Sequence, residues 1–294
     1  MYVDKEIKKR VKRIVYAAQL AAVFEVCTEK PGNVTPTHDF SDTTYEDFLR
    51  GSIAIGSAVE EAALRGYKAG GGEIPVSEIG VGGLILEGVY DLKKAHSGGN
   101  THIGTLMLII PIASAAGMCI PDSNFDRLRG NIKKIVEEST IKDSKEFYKA
   151  VETAGVGGLG ELIKKEVSFH ELMKFSADRD RIAGELINGM ETVFEVGVLE
   201  FEKRFSETEN MREAVLHTYL LLLSMYPDTY IAKKFGEETS EDVSSKAREV
   251  LEGRTAVEEF DGELRIKGLN PGTTADLVAA VLMLRFIGNL SVDA

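Results

Sequence analysis

The chain has 294 residues, of which 44% are hydrophobic and 28% are charged, proportions that exclude a largely disordered protein and indicate a sizeable core. Lysine and arginine number 35, and aspartate and glutamate number 47, so the net charge at pH 7 is −12. A general nucleic-acid or anionic-membrane surface needs a basic patch, and this charge therefore argues against both kinds of partner.

The two cysteines, Cys27 and Cys119, lie in apolar helical contexts and lack the cysteine and histidine spacing of a zinc site, so we expect buried free thiols. The first residues lack the apolar core of a signal peptide. The longest apolar run, residues 106–120, is too short to span a bilayer and contains Pro111. We therefore expect a cytoplasmic protein without a membrane-spanning segment, and the sequence leaves a homo-oligomer open.

Apolar residues spaced three and four apart predict helices along most of the chain. Asp143, Ser240 and Thr273 lie at the start of three of these stretches or just before it, where their side-chain oxygens could accept hydrogen bonds from first-turn amides. The predicted helices, in chain order, cover Val11–Ala22, Phe48–Ala63, Gly83–Ala95, Ile103–Met118, Phe125–Glu138, Ser144–Thr153, Asp180–Arg204, Met211–Met225, Ser240–Leu251 and Thr273–Gly288.

Strand signals are scarce by comparison, and the best is Gly262–Lys267, whose alternation predicts a short extended piece. Between Gly66 and Gly83 the chain is rich in glycine, which favours a flexible surface connector over a lid above a site. No linker or low-complexity stretch divides the sequence. We predict an all-α fold, a single compact multi-helix domain over residues 1–294, with polar ligand loops at helix N-termini.

Three segments with glycine and asparagine interrupt this helical pattern, and they are Lys30–Asn33, Ser97–Gly104 and Asn270–Asp276. Glycine lets backbone N–H groups approach an anion closely, and the last two segments lead directly into apolar helical runs. Because a helix N-terminus with free amides binds anions, these segments favour a ligand that carries phosphate groups.

The first segment continues into the pair His38-Asp39. A helix connector in which this pair is incidental explains the local sequence equally well. The pair is also typical of metal-dependent phosphohydrolases, but these enzymes need further histidine and aspartate ligands on helices. The other histidines give no clear matching set, and they are His96, His102, His170 and His217.

The second segment could do no more than cap the following helix through Asn100 or Thr101. Capping explains one residue, whereas two glycines, an amide, a hydroxyl and an imidazole at a helix entrance suit a triphosphate or a ribose. His102 could then donate a hydrogen bond or a proton.

Several carboxylates are candidates for the same site. Asp276 falls in a predicted first helical turn, where the helix dipole favours a negative charge and Mg²⁺ could be bound. Glu87, Asp180 and Glu185 lie among apolar helical neighbours, although a charge run is more often a solvated helix face.

Taken together, these segments resemble the triphosphoribosyl-dephospho-CoA synthase family in their order, their spacing and the chain length. The resemblance covers nearly the whole chain and depends on Lys30-Pro31-Gly32-Asn33-Val34, His38-Asp39-Phe40, Glu87, Gly98-Gly99-Asn100-Thr101-His102-Ile103-Gly104, Asp180–Glu185 and Asn270–Asp276. It implies an all-helical enzyme that joins ATP to the ribose 2′-hydroxyl of 3′-dephospho-CoA and releases adenine, making a prosthetic-group precursor. It also implies inversion at the ribose C1′, in one displacement through an oxocarbenium-like transition state.

The resemblance implies a role for each motif position. The catalytic candidates are His102, Asp39 and Asp276. The Mg²⁺ candidates are Asp39, Glu87, Asp180, Glu185 and Asp276. The phosphate or ribose contacts would come from Lys30, Gly32, Asn33, Gly98, Gly99, Asn100, Thr101, Asn270, Gly272 and Thr273.

Two positions depart from the family's pattern. Ile103 stands where a lysine commonly follows Asn-Thr-His, and His38-Asp39-Phe40 differs from the commoner Ala-His-x-Asp-Met form. With Ile103 in place of that lysine, the chain has one cation fewer than the family pattern. This difference leaves open that the acceptor is a different CoA-like molecule, with ATP still the donor. The sequence is also compatible with a metal-dependent nucleotide phosphohydrolase and with a non-catalytic helical protein that binds a nucleotide.

Overall fold

The structure is a computed structural model that describes residues 5–120, 125–156 and 166–289. The helices in the first half are α1 (Lys5–Val26), α2 (Tyr45–Ala54), α3 (Gly56–Gly70), α4 (Val81–Ala95), α5 (Ile103–Met118), α6 (Phe125–Glu137) and α7 (Ile141–Ala154). The second half contains α8 (Phe169–Ser176), α9 (Arg181–Ile187), α10 (Val198–Thr208), α11 (Met211–Met225), α12 (Thr229–Phe235), α13 (Glu237–Leu251), α14 (Val257–Lys267) and α15 (Gly272–Asn289).

The all-α prediction is confirmed. Within the described ranges, the only β-type pairing is a single antiparallel bridge between Thr35 and His38. The predicted extended piece at Gly262–Lys267 is wrong, because these residues form the second half of α14. Phe260 and Leu264, four residues apart, form the buried face of that helix, while Ile266 is 88% exposed.

The central element is α5, in which every residue from Ile103 to Met118 is buried. It packs most extensively against α3, where glycines allow the two backbones to approach closely. A Cβ at Gly66 would overlap the backbone of Ser114, and a Cβ at Gly117 would overlap the carbonyl oxygen of Ala63. Both glycines are therefore required by the packing.

The predicted helix Asp180–Arg204 is interrupted in the structure. The first part, α9, ends at Ile187, and Gly189 and Met190 both adopt the left-handed conformation, with φ of 67° and 57°. A π-helix then covers Val193–Gly197 and leads into α10. The Asn-Gly pair at 188–189 is a typical helix stop, which the apolar pattern alone did not reveal.

The glycine-rich stretch from Gly66 to Gly83 is helical at both ends, since α3 extends to Gly70 and α4 begins at Val81. The connector between them contains a 3₁₀ turn, Val76–Glu78.

Elsewhere in the fold, α1 packs along α15. Across the ranges that the structure covers, none of the helices combines the length and apolar character needed to cross a membrane. Both cysteines are free thiols, as predicted, but of the expected buried pair only Cys119 is buried, and Cys27 is half-buried.

Candidate active site

Three loops that the sequence singled out lie together around the N-termini of α5 and α15. We name them the first loop (residues 27–44), the second loop (96–102) and the third loop (268–271). Asn33 of the first loop donates its side-chain amide to Oδ1 of Asn270 in the third, at 2.7 Å. Gly32 has a φ of 76°, and a Cβ there would lie 2.7 Å from the carbonyl oxygen of Leu269. The first and third loops are thus in direct contact.

The second loop contacts the first through its glycines. The backbone N–H of Gly99 donates to the carbonyl oxygen of Asp42 at 2.9 Å. A Cβ at Gly98 would lie 2.5 Å from Oδ2 of Asp47 in α2 and 3.3 Å from the carbonyl oxygen of Asp42, so a larger residue there would crowd both. Asn100 is exposed, and its Oδ1 accepts from the N–H of Ile103 at 3.2 Å, so it caps α5.

The carboxyl group of Asp276 lies where α5 and α15 meet. The hydroxyl of Thr105 in the first turn of α5 donates to Asp276 Oδ1 at 2.6 Å. Gly104 lies against the same carboxyl group, because a Cβ at this position would overlap Oδ2. These contacts join the first turn of α5, which follows the second loop, to α15, which follows the third loop.

The environment of Asp276 strongly favours its protonated form. Asp276 is half-buried, and this burial raises the pKa of its carboxyl group to about 8. The hydrogen bond from Thr105 opposes the shift, whereas the negative charges of Glu25, Asp228 and Asp180 add to it. At neutral pH Asp276 is therefore largely an uncharged acid that can donate a proton.

Lys30 is almost fully buried, with 1% of its surface exposed. Its ammonium group pairs with the carboxylate of Glu25 at 2.9 Å and donates to the carbonyl oxygens of Glu25 and Thr28 at 2.5 and 3.2 Å. The neighbouring carbonyl oxygen of Pro31 accepts from the hydroxyl of the buried Tyr219 at 2.6 Å. With its three N–H donors engaged inside the protein, Lys30 supports the first loop, and a phosphate contact would require it to leave these partners.

His102 is also buried, with 2% of its surface exposed. Its Nε2 lies 3.3 Å from the hydroxyl of Ser52, and its ring packs on Phe48 at a centroid distance of 5.3 Å. Burial, and to a lesser extent the nearby His96, lowers the pKa of His102 to about 3. Thr101 is buried too and lies 3.1 Å from Nε2 of His96. These surroundings favour a structural role for both side chains.

The start of α15 is fixed by Asp228, which caps α12. Its Oδ2 accepts from both the N–H and the hydroxyl of Thr274, while Oδ1 accepts from the N–H groups of Tyr230 and Ile231. Burial raises the pKa of Asp228 against the effect of these donors. The predicted contact Thr273 lies beside this network, with its hydroxyl 3.2 Å from that of Thr229, and Gly272 begins the helix.

Thr229 also lines a cleft of about 640 Å³ that lies between α8, α9, the π-helix and the start of α12. Two predicted carboxylates, Asp180 and Glu185, line the same cleft, and so does Arg181, whose guanidinium stacks 4.4 Å above the ring of Tyr226. A volume of this size is within the range of small-molecule sites. The cleft adjoins the third loop through the contact between Thr229 and Thr273.

The two carboxylates of the cleft are engaged with protein groups. Asp180 caps α9 through the N–H of Ala183 at 3.1 Å and pairs with Lys233. Glu185 is buried and accepts from the N–H of Val193 at 3.2 Å, and burial raises its pKa. Both groups therefore help to shape the wall of the cleft.

The remaining predicted carboxylates lie on the surface. Asp39 is exposed and accepts from the N–H of Tyr45 at 2.7 Å, and Glu87 is exposed on α4 with Arg65 at 4.0 Å. In the described parts of the chain, no group of three or more histidine, cysteine, aspartate or glutamate side chains could hold a metal ion. The structure therefore does not gather the five predicted carboxylates into one ligand set there.

Comparison with known proteins identifies the family. The family model CitG, described as ATP:dephospho-CoA triphosphoribosyl transferase, matches residues 11–293. The "Probable 2-(5''-triphosphoribosyl)-3'-dephosphocoenzyme-A synthase" of Malonomonas rubra is 28% identical over 90% of this chain and 84% of the relative. The "2-(5''-triphosphoribosyl)-3'-dephosphocoenzyme-A synthase" of Escherichia fergusonii is 23% identical over 94% of this chain and 91% of that protein.

A solved structure has the same fold. The crystal structure of the "putative triphosphoribosyl-dephospho-coA synthase from Archaeoglobus fulgidus" matches with a TM-score of 0.60 and 24% identity, over 79% of this chain and 97% of that one. The family match covers nearly the whole sequence and includes all three loops. The chain therefore belongs to the ATP:dephospho-CoA triphosphoribosyl transferase family, which makes it a transferase.

Proposed function

We propose that this protein transfers the 5-triphosphoribosyl group of ATP to the ribose 2′-hydroxyl of 3′-dephospho-CoA and releases adenine. Family membership supports the reaction, and one structural observation supports the location of its site. The first and third loops are in contact, and Asp276, whose pKa is raised to about 8, lies in the first turns of the helix that follows the third loop, against the start of α5. A group that is still protonated at neutral pH is suited to general acid catalysis.

Asp276 donates its proton to adenine as the bond between C1′ of the ribose and N9 of the base breaks. The 2′-hydroxyl oxygen of the acceptor forms the new bond to C1′ and gives up its proton to water. In an oxocarbenium-like transition state the leaving base gains electron density, so protonating it lowers the barrier. His102 is a weaker candidate for this acid, because its imidazole is uncharged above pH of about 3 and is buried against α2.

The 640 Å³ cleft is the proposed binding volume for one of the two substrates. Its lining includes the cations Lys174 and Arg181, the aromatic ring of Tyr226 and five carboxylates, so a substrate with phosphate groups would need Mg²⁺ to enter it. We also propose that Mg²⁺ enters as the complex with ATP, held mainly by phosphate oxygens and water as this ion commonly is. The isolated positions of Asp39 and Glu87 argue against these two as its ligands.

The test is to incubate the purified protein with ATP, Mg²⁺ and 3′-dephospho-CoA, and to measure free adenine and the mass of the CoA product. We expect adenine and a product enlarged by one triphosphoribosyl unit. Asp276→Asn should reduce turnover at least about tenfold, the scale of one catalytic contact. The control Asp242→Asn changes an exposed carboxylate on α13 and should leave turnover unchanged.

Two outcomes would contradict the proposal. Release of inorganic phosphate without adenine would indicate a phosphohydrolase. Saturable ATP binding without any product would indicate a non-catalytic nucleotide-binding protein. If adenine is released only when a different CoA-like acceptor is supplied, ATP remains the donor and the proposed acceptor is wrong. The isoleucine at position 103 raises this possibility. In the structure Ile103 is 7% exposed, so this position faces the core.

A further inference from the structure

We propose that Thr105 is a positioning residue of the transfer reaction, which acts by holding the carboxyl group of Asp276 in one orientation. The inference rests on the proposed function of Asp276. Thr105 belongs to none of the three loops, and the sequence alone gives no sign that it takes part in the site.

The hydroxyl group of Thr105 is directed away from its own helix. Thr105 is the third residue of α5 and is 5% exposed. A buried threonine within a helix commonly donates to a carbonyl of its own helix, as Thr218 does to Ala214 at 2.8 Å. Thr105 instead donates across to Asp276, which lies 171 residues away in the sequence, at 2.6 Å.

Both carboxyl oxygens of Asp276 are constrained. Oδ1 accepts the Thr105 hydrogen bond, and Oδ2 lies against the backbone of Gly104, where any Cβ would overlap it. Ile182 of α9 packs beside the same glycine, since a Cβ added at Gly104 would lie 2.8 Å from Cδ1 of Ile182. Adjacent residues of α5 thus supply a donor for one oxygen and a close backbone surface for the other.

This fixed orientation has a direct effect on the reaction. A general acid must lie within hydrogen-bond reach of the leaving group and point toward it, and small misplacements slow the reaction greatly. Because Thr105 engages Oδ1 and Gly104 lies against Oδ2, the carboxyl group has one orientation. Losing the hydroxyl would let the carboxyl group rotate, which slows the chemical step without removing a substrate contact.

The experiment compares three variants by steady-state kinetics. Thr105→Val keeps the shape and removes the donor, and we expect kcat to fall at least about tenfold while KM for ATP and for 3′-dephospho-CoA stays within about twofold. Thr105→Ser keeps the donor and should retain most of kcat. Thr218→Val is the matched control, since it removes a buried helical hydroxyl elsewhere, and its kcat should match the wild type.

Each failure has a distinct meaning. If the wild-type protein releases no adenine, the proposed function fails together with the kinetic role of Thr105, and crystal structures of the Thr105 variants then decide whether Thr105 orients Asp276. We expect the Asp276 carboxyl group to lose its single orientation in Thr105→Val and to keep it in Thr105→Ser. An unchanged carboxyl group in Thr105→Val, an undiminished kcat in that variant, or equal losses in the valine and serine variants would overturn the inference.

Discussion

The carboxylate of Asp228 accepts two hydrogen bonds from Thr274, one from the backbone N–H and one from the hydroxyl, each at 2.8 Å. The same carboxylate caps α12 through its other oxygen. One buried side chain thus joins the start of α12 to the start of α15, the helix that carries Asp276. The position of the proposed acid depends on this connection.

Replacing Asp228 with alanine should therefore destabilise the protein. The change leaves buried N–H groups of Thr274 and of the first turn of α12 without an acceptor, and we expect the free energy of unfolding to fall by about 3 kcal/mol. Thr274→Val removes one of the four donors and should cost about 1 kcal/mol. Urea denaturation of both variants measures the difference. Equal losses would show that the other donors contribute little.

The crossing of α3 and α5 makes a second prediction about stability. Gly117→Ala should lower the free energy of unfolding by about 3 kcal/mol, because the added methyl group overlaps the carbonyl oxygen of Ala63 and must push two buried helices apart. Gly130→Ala is the matched control. This glycine is exposed in the middle of α6 with nothing within 4 Å of an added Cβ, so alanine should stabilise the helix by about 0.5–1 kcal/mol. Thermal unfolding of the two variants in parallel should give shifts of opposite sign, and a neutral Gly117→Ala would contradict the close packing of α3 on α5.

The buried imidazole of His102 predicts acid sensitivity. Its folded-state pKa is about 3, against a reference value of 6.5, so the unfolded chain binds a proton that the folded protein does not. This contribution to stability is complete above pH 6.5 and is lost as the pH falls toward 3, at up to about 1.4 kcal/mol per pH unit.

The measurement is the free energy of unfolding from pH 7 to pH 4 for the wild type and for His102→Gln. The variant should lose less stability over this interval, whatever its stability at neutral pH. His38→Gln changes an exposed histidine and should follow the wild-type curve. Parallel curves for all three proteins would mean that His102 is not kept uncharged by the fold.

The sequence predicted the fold best where its periodic pattern is long. The bounds expected for α5 and α11 agree with the structure, because each has about four turns of continuous helical sequence. The helices α8 and α12 were not predicted, since seven or eight residues give too short a pattern. In α14, the spacing of Leu264 and Ile266 suggested the alternation of a strand. Only Leu264 is buried, and its packing in the core, with a helical spacing from Phe260, favours the helix.

For the site, the sequence identified the loops but not what each side chain does in them. The contact between Asn33 and Asn270 agrees with the expected convergence. Lys30 and His102 have residue types suited to a ligand, yet both are buried among protein partners, and sequence cannot distinguish these two situations. Thr105 and Asp228 were missed because their roles depend on partners 171 and 46 residues away. A threonine in the first turn of a helix gives no signal of a cross-helix bond.

The pKa of Asp276 predicts how the transfer reaction depends on pH. As the proposed acid, Asp276 must carry its proton, so kcat/KM should hold steady below its pKa of about 8 and fall about tenfold per pH unit above it. This fall should be absent in Asp276→Asn, which reacts slowly at every pH because it has no proton to donate. Adenine release measured from pH 6 to pH 9.5 tests the prediction, with Asp242→Asn expected to follow the wild type. A rate that rises through pH 8 would mean that the deprotonated carboxylate is the active form, and Asp276 would then be the base that receives the proton of the attacking hydroxyl.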